Sequence, residues 1–201
     1  MKKDIILAGV GGQGILTIAA AIGFAAIEAG LHIKQSEVHS MSQRGGDVQS
    51  HLRISDKEIA SDLIPFGKSD MIIAVEPMES LRYLPMLSDE GWLITNTTPF
   101  INIPNYPEMD ALMKEINSLP KHVALDADAI AHEIKSPRSA NIVVLGAASP
   151  FLDIELAKIE NAIKLLFRSK GEDVIRLNLE ALKAGREFAE KNVAVSPTPA
   201  P

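Results

Sequence analysis

Cysteine is absent from the 201-residue chain. Disulfides, a thiol nucleophile and any thiolate-held iron–sulfur cluster are therefore excluded from it. Its five histidines form neither His-x-His nor His-Glu-x-x-His, so no zinc site is expected. Positive charge is in deficit, with 20 Lys and Arg against 26 Asp and Glu, a net charge of −6. Nothing in that balance attracts a polyanion, so neither nucleic acid nor an anionic membrane is an expected partner. Long hydrophobic runs are also missing. The longest, Ile15 to Ile27, is shorter than the roughly 18 to 20 residues that span a bilayer. Met1-Lys2-Lys3-Asp4 leads into only Ile5 to Ala8 before glycines, too short an apolar run for a signal peptide, and a cytoplasmic protein is expected. What remains is 46% hydrophobic and 23% charged, an ordinary globular composition long enough for one real core.

Apolar runs punctuated by polar caps and glycines predict the elements. Asp4 to Ala8 reads as a buried strand and Ile15 to Ala29 as a helix stopped by Gly30. That helix has only Thr17 and Glu28 to hydrate, so it must be covered on more than one side. Ile33 to Val38 is a second strand. Val48 to Ile54 alternates, with Val48, Ser50, Leu52 and Ile54 on one side and Gln49, His51 and Arg53 on the other. It predicts a half-exposed strand turning at Ser55-Asp56-Lys57 into a hairpin back through Ile59. Asp70 to Val75 is continuously apolar, as a central parallel strand is. A short helix is expected over Met78 to Leu87, a strand over Trp92 to Thr95, and an irregular connection over Pro99 to Pro107. Further on come a helix over Glu108 to Leu119, a strand over His122 to Leu125 and a helix capped by Asp126. Asn141 to Ala148 fits helix or strand. Glu155 to Ser169 and Glu172 to Lys191 are helices parted by Gly171. Strands alternating with helices predict an α/β fold: a doubly wound, mostly parallel, Rossmann-like sheet with an antiparallel hairpin insertion. One domain spanning residues 1–191 and a flexible tail, 192–201, complete the expectation.

Two segments carry candidate chemistry. Gly9-Val10-Gly11-Gly12-Gln13-Gly14 stands between a strand and a helix, where glycines permit a tight turn and the helix start offers free amides to an anion. In a second reading these glycines only let helix and strand pack closely. Glu37 falls near where a dinucleotide's ribose would be held. Glu37 to Asp47 is the densest polar segment, with Arg44 a rigid fork for carboxylate or phosphate beside the pliant pair Gly45-Gly46. A solvated turn is the plainer reading of it. His39 and His51 read as surface or interface residues, and Glu76-Pro77 as a helix cap. No triphosphate P-loop, Gly-x-Ser-x-Gly elbow or Gly-Asp-Gly thiamine signature is present. With no acid–base pair evident either, the chain reads as part of an enzyme rather than a whole one.

Gly9 to Leu16 together with Ser36-Glu37-Val38-His39-Ser40-Met41-Ser42-Gln43-Arg44-Gly45-Gly46-Asp47-Val48 resembles the gamma-type domain of the 2-oxoacid:ferredoxin oxidoreductases. The form Glu-Val-His-x-Met-Ser-Gln-Arg-Gly-Gly is similar to the small chain of the indolepyruvate-specific members. Glu76-Pro77-Met78-Glu79, Asn96-Thr97-Thr98 and Leu145-Gly146-Ala147 agree. The resemblance implies a subunit inactive alone, paired with a large chain that carries thiamine diphosphate, magnesium and [4Fe–4S] clusters and delivers electrons to ferredoxin. The complex would convert aryl pyruvates to aryl-acetyl-CoA. It further implies that Gly9, Gly11, Gly12, Gln13, Gly14, Arg44, Gly45 and Gly46 meet coenzyme A, and that Glu37, His39, Ser42 and Gln43 face ligand or partner. No residue is assigned a catalytic or metal-binding role. A gamma subunit for pyruvate, 2-ketoisovalerate or 2-oxoglutarate, and a free-standing dinucleotide-binding protein, are the alternatives.

Overall fold

The computed structural model describes residues 1–39 and 46–193. The first strand, β1 (Lys2–Val10), runs into helix α1 (Ile15–Glu28), then β2 (His32–His39) and β3 (Asp47–Ser55). Strand β4 (Ser69–Ala74), helix α2 (Pro77–Arg82), β5 (Leu87–Asn96), α3 (Met109–Ser118) and β6 (His122–Leu125) follow. Four helices close the chain: α4 (Ala127–Glu133), α5 (Ala140–Ala148), α6 (Leu156–Phe167) and α7 (Glu172–Val193). Helix α7 ends two residues past the expected boundary, and residues 194–201 lie outside the described part. No helix among the described residues is long and apolar enough to cross a membrane.

The sheet has the order β2-β3-β1-β4-β5-β6. β1, β4, β5 and β6 pair in parallel, and β3 runs against both neighbours. Successive β1 side chains point to opposite faces. Ile5 and Leu7 join the larger core with α1 and α4 to α7, while Ile6 and Ala8 join a smaller core with α2 and α3. Both faces are covered, which is why β1 and β4 read as unbroken apolar runs.

The hairpin expected to return through Ile59 is not formed; the antiparallel pair is β2 with β3. Ile54 pairs with Lys3 on one side and Ile33 on the other, so neither edge of β3 is free to accept residues beyond Ser55. Residues 56–68 instead cross the outer face as a strap. Arg53 donates to the carbonyls of Ser61 and Leu63, both at 3.0 Å, and Lys34 to that of Ala60 at 3.2 Å. His51, expected at a surface or an interface, is buried under this strap, and its Nδ1 accepts from the Ile64 amide at 3.0 Å. Burial lowers its pKa below the usual imidazole value.

Asn141 to Ala148 lies within α5, a helix buried among the sheet, α4 and α7. A helix apolar all round carries no period that separates it from a buried strand. Where α5 meets α7, a Cβ on Gly146 would overlap the Leu182 carbonyl, and one on Gly185 the Val143 carbonyl. Helix α1 is covered within its own chain, by the sheet on one side and α6 on another. Leu16, Phe24 and Ile27 stay exposed.

Candidate functional site

β1 leads to α1 on one face of the sheet and β4 leads to α2 on the other, so a crevice opens between their carboxyl ends. The glycine loop lies in it. A Cβ on Gly9 would strike the Val75 side chain, so this glycine serves packing. Gly12 has φ +100° with nothing within 4 Å of where a Cβ would stand. Gly14 starts α1 in the left-handed conformation, φ 82°, against Asn141, whose amide donates to the Gly14 carbonyl at 3.1 Å. Gln13 locks the turn. Its Oε1 accepts from the Val10 amide at 2.8 Å, and its backbone N–H donates to the Val10 carbonyl at 3.1 Å. No side chain caps α1, and its first turn holds no acidic residue.

The two sequence segments meet here, since the Gly11 amide donates to the Gly46 carbonyl at 2.8 Å. Ser42, Gln43, Arg44 and Gly45 fall outside the described residues, as does the His39 side chain. Glu37 is described. It lies on edge strand β2, where it accepts from Gln35 at 2.5 Å. Because β3 separates β2 from β1, Glu37 stands two strand spacings, about 10 Å, from the loop's own strand. In a dinucleotide fold that carboxylate comes from the adjacent strand, so the ribose-binding role assigned to Glu37 does not fit.

On the α1 side the crevice widens into a cleft of about 670 Å³ between the glycine loop and the helix ends of α4, α6 and α7. Lys135, Arg138 and Lys170 line it, with Phe167 and Leu177 as an apolar wall. A smaller recess of about 390 Å³ continues from Gly12 and Arg138 toward Asn96 and Asp128. Asn96 is committed to the fold: it donates to Asp128 at 2.8 Å and accepts from the Ala127 amide at 3.0 Å.

On the α2 side lie carboxylates. Glu76 is fully buried and caps α2, accepting from the Glu79 amide at 2.9 Å, the Phe100 amide at 3.2 Å and the Tyr106 hydroxyl. The capping role read from Glu76-Pro77 is therefore met, with two further donors added. Glu79 accepts from Arg82 at 2.7 and 3.2 Å, and Asp47 from the Tyr83 hydroxyl at 2.6 Å. Burial raises the Glu79 pKa above the usual carboxylate value; Arg82 opposes the rise and the nearby Asp47 adds to it. Tyr83 and Tyr106 are both pushed well above the usual phenol value, by burial and then by the carboxylates they bond.

Sequence reasoning passed over Lys135, Arg138 and Lys170. Lys135 and Lys170 stand just past the ends of α4 and α6, where a cation reads as an ordinary complement to the helix dipole, and Arg138 lies in the short connection leading into α5. One signal was available: α4 stops without a glycine.

The family described as pyruvate ferredoxin/flavodoxin oxidoreductase matches residues 4–188. The chain belongs to that family. Among its members, indolepyruvate oxidoreductase subunit IorB of Archaeoglobus fulgidus is 37% identical over 194 residues, 92% of this chain and 94% of that one. The subunit of the same name in Thermococcus kodakarensis is 35% identical, over 95% and 98% of the two chains. In fold the chain is similar to pyruvate oxidoreductase subunit PORC of Thermotoga maritima, with TM-score 0.70, 24% identity and coverage of 92% and 96%. It is also similar to part of the 2-oxoglutarate:ferredoxin oxidoreductase of Magnetococcus marinus, solved with 2-oxoglutarate, coenzyme A and succinyl-CoA bound. There the TM-score is 0.76 at 23% identity, over 98% of this chain and 32% of that one. The fold thus occurs both as a separate small chain and as one segment of a longer chain.

Proposed function

We propose that the chain is the small subunit of an indolepyruvate:ferredoxin oxidoreductase of the cytoplasm, inactive without a large partner subunit. The observation that carries this is the end-to-end likeness to IorB chains at 34 to 37% identity, above the 29 and 30% of the 2-oxoglutarate synthase subunits KorC. A chain without cysteine has no thiolate for an iron–sulfur cluster, and its described residues bring no three His, Asp or Glu together for a metal. In this reading thiamine diphosphate, magnesium and the [4Fe–4S] clusters belong to the partner, which passes electrons to ferredoxin.

Coenzyme A is the group this chain fits. Gly12 leaves open space beside an uncapped helix start, and the cleft next to it holds cations and no carboxylate among its lining residues. Coenzyme A, when bound, supplies the thiol that accepts the acyl group. The chain's own part is to hold and orient the phosphates, through the amides of Gly12 and Gly14, which the turn does not use, and through Arg44, two residues before the Gly46 that is tied to Gly11. Glu37, His39, Ser42 and Gln43 form the partner-facing segment. A single 1–191 domain is sufficient for both tasks.

The test is to produce the chain with and without the large subunit and to follow methyl viologen or ferredoxin reduction. Indolepyruvate with coenzyme A should be turned over by the pair alone, faster than pyruvate, 2-ketoisovalerate or 2-oxoglutarate. Preference for one of those acids reassigns the substrate. Turnover by the single chain, or tight binding of NAD or FAD to it, overturns the subunit reading.

A further inference from the structure

The turn between α4 and α5 has a backbone that favours a residue it does not contain. The Ser136 amide donates to the Ala131 carbonyl at 2.8 Å and the Lys135 amide to the His132 carbonyl at 2.9 Å. This is the paired closure that ends a helix on a left-handed residue, a position where glycine is usual. Lys135 occupies it with φ 59°. A side chain there is strained, so Lys135 works against local stability. The turn is also held from behind. Ser136 and Ser139 share a hydroxyl hydrogen bond of 2.7 Å, and Ser139 donates to Asn178 at 3.1 Å, all three residues being buried. The effect is to fix Lys135 and Arg138 at the rim of the 670 Å³ cleft, with Lys170 from the end of α6 lining it too. Among the described residues none of these three cations has a carboxylate within ion-pair distance, in a chain whose net charge is −6.

We propose that Lys135, Arg138 and Lys170 hold the phosphorylated adenosine end of the nucleotide ligand, with the base against the Phe167 wall. The inference rests on coenzyme A being that ligand, and it deepens the assignment by adding three residues outside the two sequence motifs. Three spaced cations match a ligand whose phosphates are distributed over a pyrophosphate and a ribose, and the apolar wall suits a flat base.

The probes are 3′,5′-ADP, which carries the phosphorylated adenosine end, and pantetheine, which carries none of it. Both are titrated calorimetrically against the full chain and against the assembled complex. The nucleotide should bind, and Lys135→Gly, Arg138→Gln and Lys170→Gln should each weaken it about three- to tenfold. Pantetheine should be indifferent to all three. In the complex the KM for coenzyme A should rise while that for indolepyruvate holds. Lys135→Gly keeps this decisive, because relief of strain should raise its Tm and a loss of affinity is then not a loss of fold. Failure of 3′,5′-ADP to bind either preparation overturns the proposal, as does affinity unaffected by the substitutions. Weakened assembly with unchanged nucleotide binding overturns it too, and makes the cleft a seat for an acidic partner segment. If wild-type turnover of indolepyruvate is intact in any of those cases, the subunit reading stands and only the cleft falls. If turnover is absent but the substitutions still weaken nucleotide binding, the cleft stands and the subunit reading falls.

Discussion

The two flanks of the crevice carry opposite charge and use it in opposite ways. On the α2 side Glu76 and Glu79 are buried and Asp47 is half-buried, and the three are bonded to a helix amide, a loop amide, two tyrosines and an arginine. On the α1 side Lys135, Arg138 and Lys170 are exposed around a cleft and have no carboxylate partner among the described residues. A polar group already bonded within the fold contributes stability and has little left for a ligand. An exposed, unpaired one contributes little to stability and is available. The carboxylates are thus framework and the cations are site, although both flank the same glycine loop.

The sharpest way to break this contrast is Glu76→Ala. It deprives the buried Glu79 amide in the first turn of α2, the partly buried Phe100 amide and the partly buried Tyr106 hydroxyl of their acceptor together. Stability should fall by about 3 to 5 kcal/mol, measured by denaturant unfolding. A loss within the range of an ordinary surface substitution would mean that the carboxylate flank is not framework.

A second, smaller effect depends on pH. The folded-state pKa of Glu79 lies above its unfolded value of 4.5. The folded protein therefore holds this proton longer. The associated stability is complete below 4.5 and is lost as pH rises through the folded value. Glu79→Gln should flatten this decline, so that the Tm difference between variant and wild type grows in the variant's favour from pH 4.5 to 7.5. His51 acts in the opposite sense. Its lowered pKa gives stability present above its unfolded value of 6.5 and lost as pH falls, but it is common to both proteins and cancels in the comparison. A pH-independent difference would place Glu79 in a more hydrated site than its burial implies.

How much of this was legible beforehand follows from range. The β1–loop–α1 unit, the Asp126 and Glu76 caps and the α6–α7 break at Gly171 were readable because each is set by residues a few positions apart. The placement of β3 between β2 and β1 was not, since alternation marks which face a residue takes and says nothing about which strand lies beside it. That one insertion decides the fate of Glu37, which a local motif had placed next to the loop. The meeting of Asp47 with Tyr83 spans 36 residues, and the cleft gathers cations from Lys135 to Lys170. Only tertiary packing joins them.

The smallest effect has the sign that separates the flanks most clearly. Glu76→Ala removes a side chain the fold uses, whereas Lys135→Gly removes one the fold resists. The left-handed conformation at position 135 is imposed by the closure of α4 and by the buried Ser136–Ser139–Asn178 chain. It persists whichever residue is present. Glycine adopts it without the Cβ clash, against a larger loss of unfolded-state freedom, and the net gain should be about 0.5 to 1 kcal/mol. For a chain of this length that is roughly 1 to 4 °C in Tm. Ser139→Ala should act the other way, costing about 1 kcal/mol by cutting the hydroxyl chain to Asn178. With that support gone, the gain from Lys135→Gly should shrink, because the turn no longer insists on its conformation. A double-mutant cycle by differential scanning calorimetry measures the coupling. Strict additivity would show that the turn is held by the α4 backbone alone and that the buried serines do not position Lys135.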